Sequence, residues 1–74
     1  MSRLTEAKQG AKLVMISIAG GMGAEKRLAE MGLYPGEQIK IINNSGTGPV
    51  TIGIKGTKLA LGQGLAQKIL VREV

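Results

Sequence analysis

The 74-residue chain has no cysteine, histidine, tryptophan or phenylalanine, and its five acidic residues are all glutamates. Without cysteine, neither a disulfide nor a thiolate metal site can brace so short a chain. Imidazole and thiolate are the donors that zinc, copper and ferrous iron favour, and neither is present. The carboxylates Glu6, Glu25, Glu30, Glu37 and Glu73 fall in separate segments. Unless folding gathers them, they amount to no more than a weak oxygen site. Hydrolytic or transfer chemistry would need a nucleophile and a base drawn from Ser, Thr, Lys or Tyr, with no third group to orient them. The residues therefore argue against an enzyme, supply no catalytic group and call for no cofactor or small-molecule substrate.

Tyr34 is the sole aromatic residue in a chain that is 43% hydrophobic, so the core must be built from Ile, Leu, Val and Met. That content excludes disorder, and the length predicts one domain over residues 1–74. The longest uncharged run, Leu13 to Ala24, is broken by Ser17, Gly20, Gly21 and Gly23. It is shorter than the roughly 20 residues that span a bilayer. Glu6 and polar residues precede it and no cleavage context comes after, so it does not read as a signal peptide either. The expectation is a soluble cytoplasmic protein. Ten Lys and Arg against five Glu give a net charge of +5, which favours an acidic partner: nucleic acid, membrane surface or protein.

The hydrophobic pattern predicts five short strands and little helix. A helical turn occupies the first ten residues, with Ser2 as cap and Leu4 and Ala7 on one side. From Ala11 to Ala19 the period is two, with Val14, Ile16 and Ile18 directed to the core and Leu13 and Met15 opposite. Gly20-Gly21-Met22-Gly23 ends this strand, and a helix runs from about Ala24 to Met31, with Ala24, Leu28 and Met31 inward and Lys26 and Glu30 outward. Gly32 suits the left-handed backbone that closes a helix, and Pro35 prevents its restart. Tyr34-Pro35-Gly36-Glu37 suits a type II turn.

Alternation resumes with Ile39 and Ile41, then Val50, Ile52 and Ile54, on either side of a loop from Asn43 to Pro49. Gly56-Thr57 predicts a two-residue hairpin turn with Gly first, and Leu59 and Leu61 lie on the return strand. Gly62 to Ala66 forms one helical turn that drops Leu65 onto the core. Ile69 and Val71 close the chain inward, with Leu70 outward. A small closed barrel would accommodate this order and leave no exposed strand edges.

Three constellations carry functional readings. The glycines from Gly20 to Gly23 before a helix resemble an anion-binding loop. A phosphate loop, however, needs Gly-Lys-Ser/Thr where this chain has Ala24-Glu25, so a plain strand-to-helix turn is the better reading. Outward Lys40, Lys55, Lys58, Lys68 and Arg72 form a basic face, for which a solvated strand surface is the better reading. A basic barrel that binds nucleic acid is the second functional reading, although single-strand binders stack bases on aromatic rings and only Tyr34 is available. Leu13, Met15, Ile42 and Leu70 lie on the far faces, and packing under the N-terminal turn or the helix is the better reading for them. Any left exposed together, with Met22 and Tyr34 at the ends of the helix, would form an apolar contact surface.

Taken in order, these signals resemble the ferrous iron transport protein A (FeoA) family along nearly the whole chain. The resemblance rests on Leu4, Gly10, Ile16, Ile18 and Gly20-Gly21, then Arg27-Leu28, Met31-Gly32-Leu33 and Pro35-Gly36. Pro49-Val50, Ile52, Ile54, Gly56, Leu59-Ala60-Leu61, Ala66 and Ile69-Leu70-Val71 complete it. It implies an SH3-like barrel of the kind also found at the C-terminus of iron-dependent repressors. The initial Met and the lack of a DNA-binding helical region fit a free-standing accessory protein.

The implied partner is the cytosolic part of the FeoB transporter, which carries a GTP-hydrolysing domain. The family is associated with transition metal ions, yet this chain has no good ferrous ligands, so its role would be exerted through binding another macromolecule. Two departures are visible: Gln9 where Pro is common, and Gly62-Gln63-Gly64 where charged residues are common. Arg27 matches the family's basic position. Together with Lys26, Tyr34, Met22 and Lys58 it makes up the candidate contact set, while Gly32, Pro35, Gly36 and Gly56 are read as scaffold.

Overall fold

A computed structural model describes all residues, 1–74. Six antiparallel strands form one sheet in the order β1-β6-β2-β3-β4-β5: β1 (Ser2–Arg3), β2 (Lys12–Ile18), β3 (Gln38–Asn43), β4 (Val50–Ile54), β5 (Thr57–Leu61) and β6 (Ile69–Glu73). Helix α1 (Gly21–Glu30) succeeds β2, and the one-turn helix α2 (Gln63–Ala66) precedes β6. The architecture is mainly β, as the pattern predicts, and has the SH3-like form that the family resemblance implies. Its sixth strand was not foreseen. Ser2 and Arg3 pair with Val71 and Leu70, and a 3₁₀ turn over Leu4–Glu6 comes next. The Arg3 N–H donates to Glu6 Oε1 at 2.9 Å, so Glu6, not Ser2, holds this turn. Nor does the barrel close, since β1 and β5 remain the edges of the sheet.

The core is aliphatic and continuous. Leu4, Leu28, Leu33, Ile39, Ile41, Val50, Ile52, Ile54, Leu61, Ala66, Ile69 and Val71 are buried, and so are Leu13 and Met15. The last two overturn the expected polarity of β2, whose Val14 and Ile16 are only half-buried. A β-bulge is the cause. Met15 pairs with Val71 and Ser17 with Leu70, leaving Ile16 as the extra residue. One inserted residue reverses the inward parity of everything after it. Leu13 and Met15 therefore point inward before the bulge, and Ile18 packs on the core after it.

Two turns also differ from expectation. The β4–β5 hairpin turns at Lys55-Gly56, because Ile54 pairs with Thr57 and both turn residues have positive φ (46° and 77°). That is a type I′ turn, whose twist matches the strands. Helix α1 begins at Gly21, three residues earlier than predicted, because the glycines enter the helix rather than precede it. Among the glycines, Gly20 has the least room for a side chain. A Cβ there would lie 2.7 Å from Lys68 Cδ. The Lys68 stem thus packs across the β2–α1 junction, and Lys68 leaves the basic face to which the sequence pattern assigned it.

The end of α1 aims the chain back toward the sheet. Gly32 (φ 87°) donates to Ala29 O at 2.9 Å, and the Leu33 N–H donates to Leu28 O at 2.9 Å. This paired arrangement is the Schellman cap, and its apolar partners Leu28 and Leu33 both enter the core.

Candidate functional site

Beyond the cap, Tyr34-Pro35-Gly36-Glu37 doubles back in a type II turn, with Gly36 at φ 92° and the Glu37 N–H donating to Tyr34 O at 3.0 Å. The turn is pinned to β2 beside its bulge. The Gly36 N–H donates to Met15 O at 2.7 Å, and the Met15 N–H donates to Glu37 O at 2.9 Å. Tyr34 and Pro35 are thereby held along the outer side of α1.

Between turn, helix and the end of β2 lies an open groove of about 590 Å³. Its inner surface is apolar, with buried Leu33 and half-buried Ile18 and Ala29. Met22 and Tyr34, 84% and 51% exposed, stand at its edge with Pro35, Glu25 and Lys26. Met22, Lys26 and Ala29 fall at i, i+4 and i+7, one stripe of the helix. This arrangement can seat an apolar side chain and offer one charge of each sign at its rim. It holds no nucleophile–base pair and no set of carboxylates around a common point.

The structure gathers three of the candidate contact residues, Met22, Lys26 and Tyr34, around this groove. It separates the other two. Arg27 is exposed on α1 but does not line the groove. Lys58 stands on β5, beside a different hollow lined by Gln9, Gly10, Lys40, Ile41 and Ile42. Ala29, Leu33 and Ile18 were read as scaffold or not at all, although they form the inner surface. A small residue at Ala29, amid charged neighbours and one turn beyond Lys26, was the available signal for a concave helix side.

Asn44 was likewise missed. Its amide donates to Thr5 O (3.1 Å) and Ala7 O (2.7 Å), and its Oδ1 accepts from the Gly46 N–H (3.2 Å). It ties the β3–β4 loop to the N-terminal segment. Gln63 does the same for the far end of that loop, donating to Gly48 O at 2.7 Å.

The fold and groove define a small SH3-like β module with an open apolar groove beside its helix. The FeoA domain model matches residues 2–73, and the chain belongs to that family. A candidate Fe(2+) transport protein A of Methanocaldococcus jannaschii is 42% identical over 73 residues, spanning 99% of this chain and 88% of that protein. The crystal structure of an iron uptake regulatory protein (FeoA) superposes with a TM-score of 0.91 at 36% identity, covering 97% of this chain and 96% of that one. A manganese-dependent transcriptional repressor matches with a TM-score of 0.88 at 18% identity, over 97% of this chain and 41% of the repressor. That last likeness is one of fold alone. No helix here is long and apolar enough to cross a membrane.

Proposed function

We propose that this protein is a small cytoplasmic accessory protein of ferrous iron uptake, acting by binding the cytosolic part of the FeoB transporter rather than by carrying iron. The observation that carries this reading is the family match across residues 2–73, together with the relationship to a candidate Fe(2+) transport protein A. The composition supports binding over carriage, because a chain without His, Cys or Asp has a poor donor set for ferrous iron. The groove supplies the contact. An apolar side chain of the transporter seats against Ile18, Ala29 and Leu33, with Met22, Lys26 and Tyr34 at the rim. Met and Tyr are favoured in such positions, the one for its adaptable shape and the other for its amphipathic ring. Arg27, beside Lys26, extends the cationic edge.

The test is co-purification of the tagged protein with the full transporter from detergent-solubilised membranes, with titration of the transporter's cytosolic domain in GTP and in GDP. Retention on the transporter, weakened in Met22→Ala and Tyr34→Ala, is the expected result. Absence of co-purification, with no titration shift in either nucleotide state, overturns the proposal.

A further inference from the structure

The register of the sheet aligns cations that are far apart in sequence. Lys12 pairs with Lys40 across β2–β3, Lys40 with Gly53 across β3–β4, and Gly53 with Lys58 across β4–β5. Their neighbours Leu13, Ile39, Ile41, Ile52 and Leu59 point into the core, so all three lysines project from the outer face, where they are exposed. At about 4.8 Å per strand, Lys12 stands roughly 5 Å from Lys40, and Lys58 about 10 Å beyond it. Lys55 in the adjoining turn and Arg72 on β6 are exposed beside this row. Lys12, Lys40 and Lys55 border a shallow hollow of about 310 Å³ beside Gly53, against which the half-buried Ile42 side chain packs.

Most of the charge on this face is uncompensated. The sole ion pair in the structure joins Lys55 to Glu37 at 3.4 Å. The face thus carries five cations against one glutamate, and the rest of the chain five cations against four, so all but one unit of the net +5 resides here. Lys12 and Lys40 are like charges set directly opposite, an arrangement that costs stability.

We propose that this outer face of the sheet binds an anionic lipid surface. The composition of the face decides among acidic partners. Protein interfaces are depleted in lysine and enriched in aromatics and arginine, whereas this face has four lysines and no aromatic residue. Single-stranded nucleic acid needs stacking platforms, and Tyr34 lies at the groove, off this face. Duplex grooves take a helix or a projecting ribbon, and the face offers neither. Point charges on long flexible stems, spread over several strands, suit a plane of headgroups that need no fixed register.

Co-sedimentation with phosphatidylcholine vesicles, with and without phosphatidylglycerol, tests this directly. No transporter is present in the vesicles, so the outcome is independent of the FeoB reading. Binding is expected only with the anionic lipid, falling steeply as salt screens it. Each cation is worth about fivefold in partitioning, so Lys12→Gln/Lys40→Gln/Lys58→Gln should weaken binding about a hundredfold. Lys8→Gln/Lys26→Gln/Arg27→Gln, with the same charge removed elsewhere, should keep most of it. Equal binding to neutral vesicles, equal loss in both triple variants, or tighter binding to an RNA or DNA oligonucleotide than to anionic vesicles overturns the proposal.

Discussion

Asn44 offers the sharpest test of how the N-terminal segment is held. Its amide donates two hydrogen bonds, to Thr5 O at 3.1 Å and Ala7 O at 2.7 Å, both part-buried and from residues nearly forty positions away. A neutral hydrogen bond contributes about 1 kcal/mol net. Asn44→Ala removes both and leaves two carbonyls partly shielded from water, a loss of about 2 kcal/mol. The exposed bond from the Gly46 N–H adds little, since water replaces it. For a chain of this size, about 2 kcal/mol corresponds to a fall in Tm of about 8–16 °C. Asn44→Asp is the more searching variant, because it preserves shape and the acceptor but replaces the donor with an oxygen facing two carbonyl oxygens. It should destabilise at least as much as Asn44→Ala. Asn43→Ala, an exposed neighbour without a side-chain bond in the structure, should change stability by less than about 0.5 kcal/mol. With no tryptophan in the chain, urea and thermal unfolding are best monitored by far-ultraviolet circular dichroism. An Asn44→Asp variant as stable as the parent would refute the donor role, and an Asn44→Ala loss matching that of Asn43→Ala would refute the clamp altogether.

Gly32→Ala isolates a backbone term. The new Cβ would meet nothing nearer than Ile54 Cδ1 at 4.0 Å, so the cost is that of φ 87° alone, about 1 kcal/mol or a Tm fall of about 4–8 °C. Lys40→Glu turns the repulsive Lys12–Lys40 pair into an attractive one. It should raise stability by about 0.5 kcal/mol at low salt, shrinking as salt is added, while vesicle binding weakens about 25-fold. Met22→Ala and Tyr34→Ala, at exposed positions, should leave the melting curve within about 0.5 kcal/mol of the parent. Pull-down with the transporter should nonetheless weaken.

Much of the fold was legible because its strands are short and regular. Ile39/Ile41 and Val50/Ile52/Ile54 alternate cleanly, and Gly32, Pro35 and Gly36 mark a stop and a turn through properties that belong to single residues. What misled the reading of β2 was not composition but pairing. Leu13, Val14, Met15, Ile16 and Ile18 are apolar on both parities, so alternation alone cannot choose a face. The bulge at Ile16 then makes each choice right for half the strand. Ser2 and Arg3 carry no strand signal of their own and become β1 only because β6 offers an edge. The hairpin was displaced by one residue for a similar reason: a lysine at positive φ is costly and nothing local announces it, so the position of Lys55 is imposed by the register of β4 on β5. The groove was only half legible, since its rim residues stood out as exposed apolars whereas its inner surface depends on how the turn packs along the helix.

The bulge falls in the β2–β6 pairing, while on its other edge β2 keeps its register with β3 up to Val14–Gln38. The next step of that register docks the Tyr34–Glu37 turn on Met15 through two hydrogen bonds. The same turn supplies Tyr34 and Pro35 to the groove and ends in Glu37, which engages Lys55 of the basic face. The groove and the hollow of the basic face share no lining residue, so a module that held an anionic surface with its sheet could still present Met22 and Tyr34 to a protein. The unpaired lysines fit this arrangement in energetic terms. A like-charged pair costs the isolated fold a few tenths of a kcal/mol, and an anionic surface turns that cost into attraction, so the residues that make the face suboptimal for stability are those that would make it selective for a membrane.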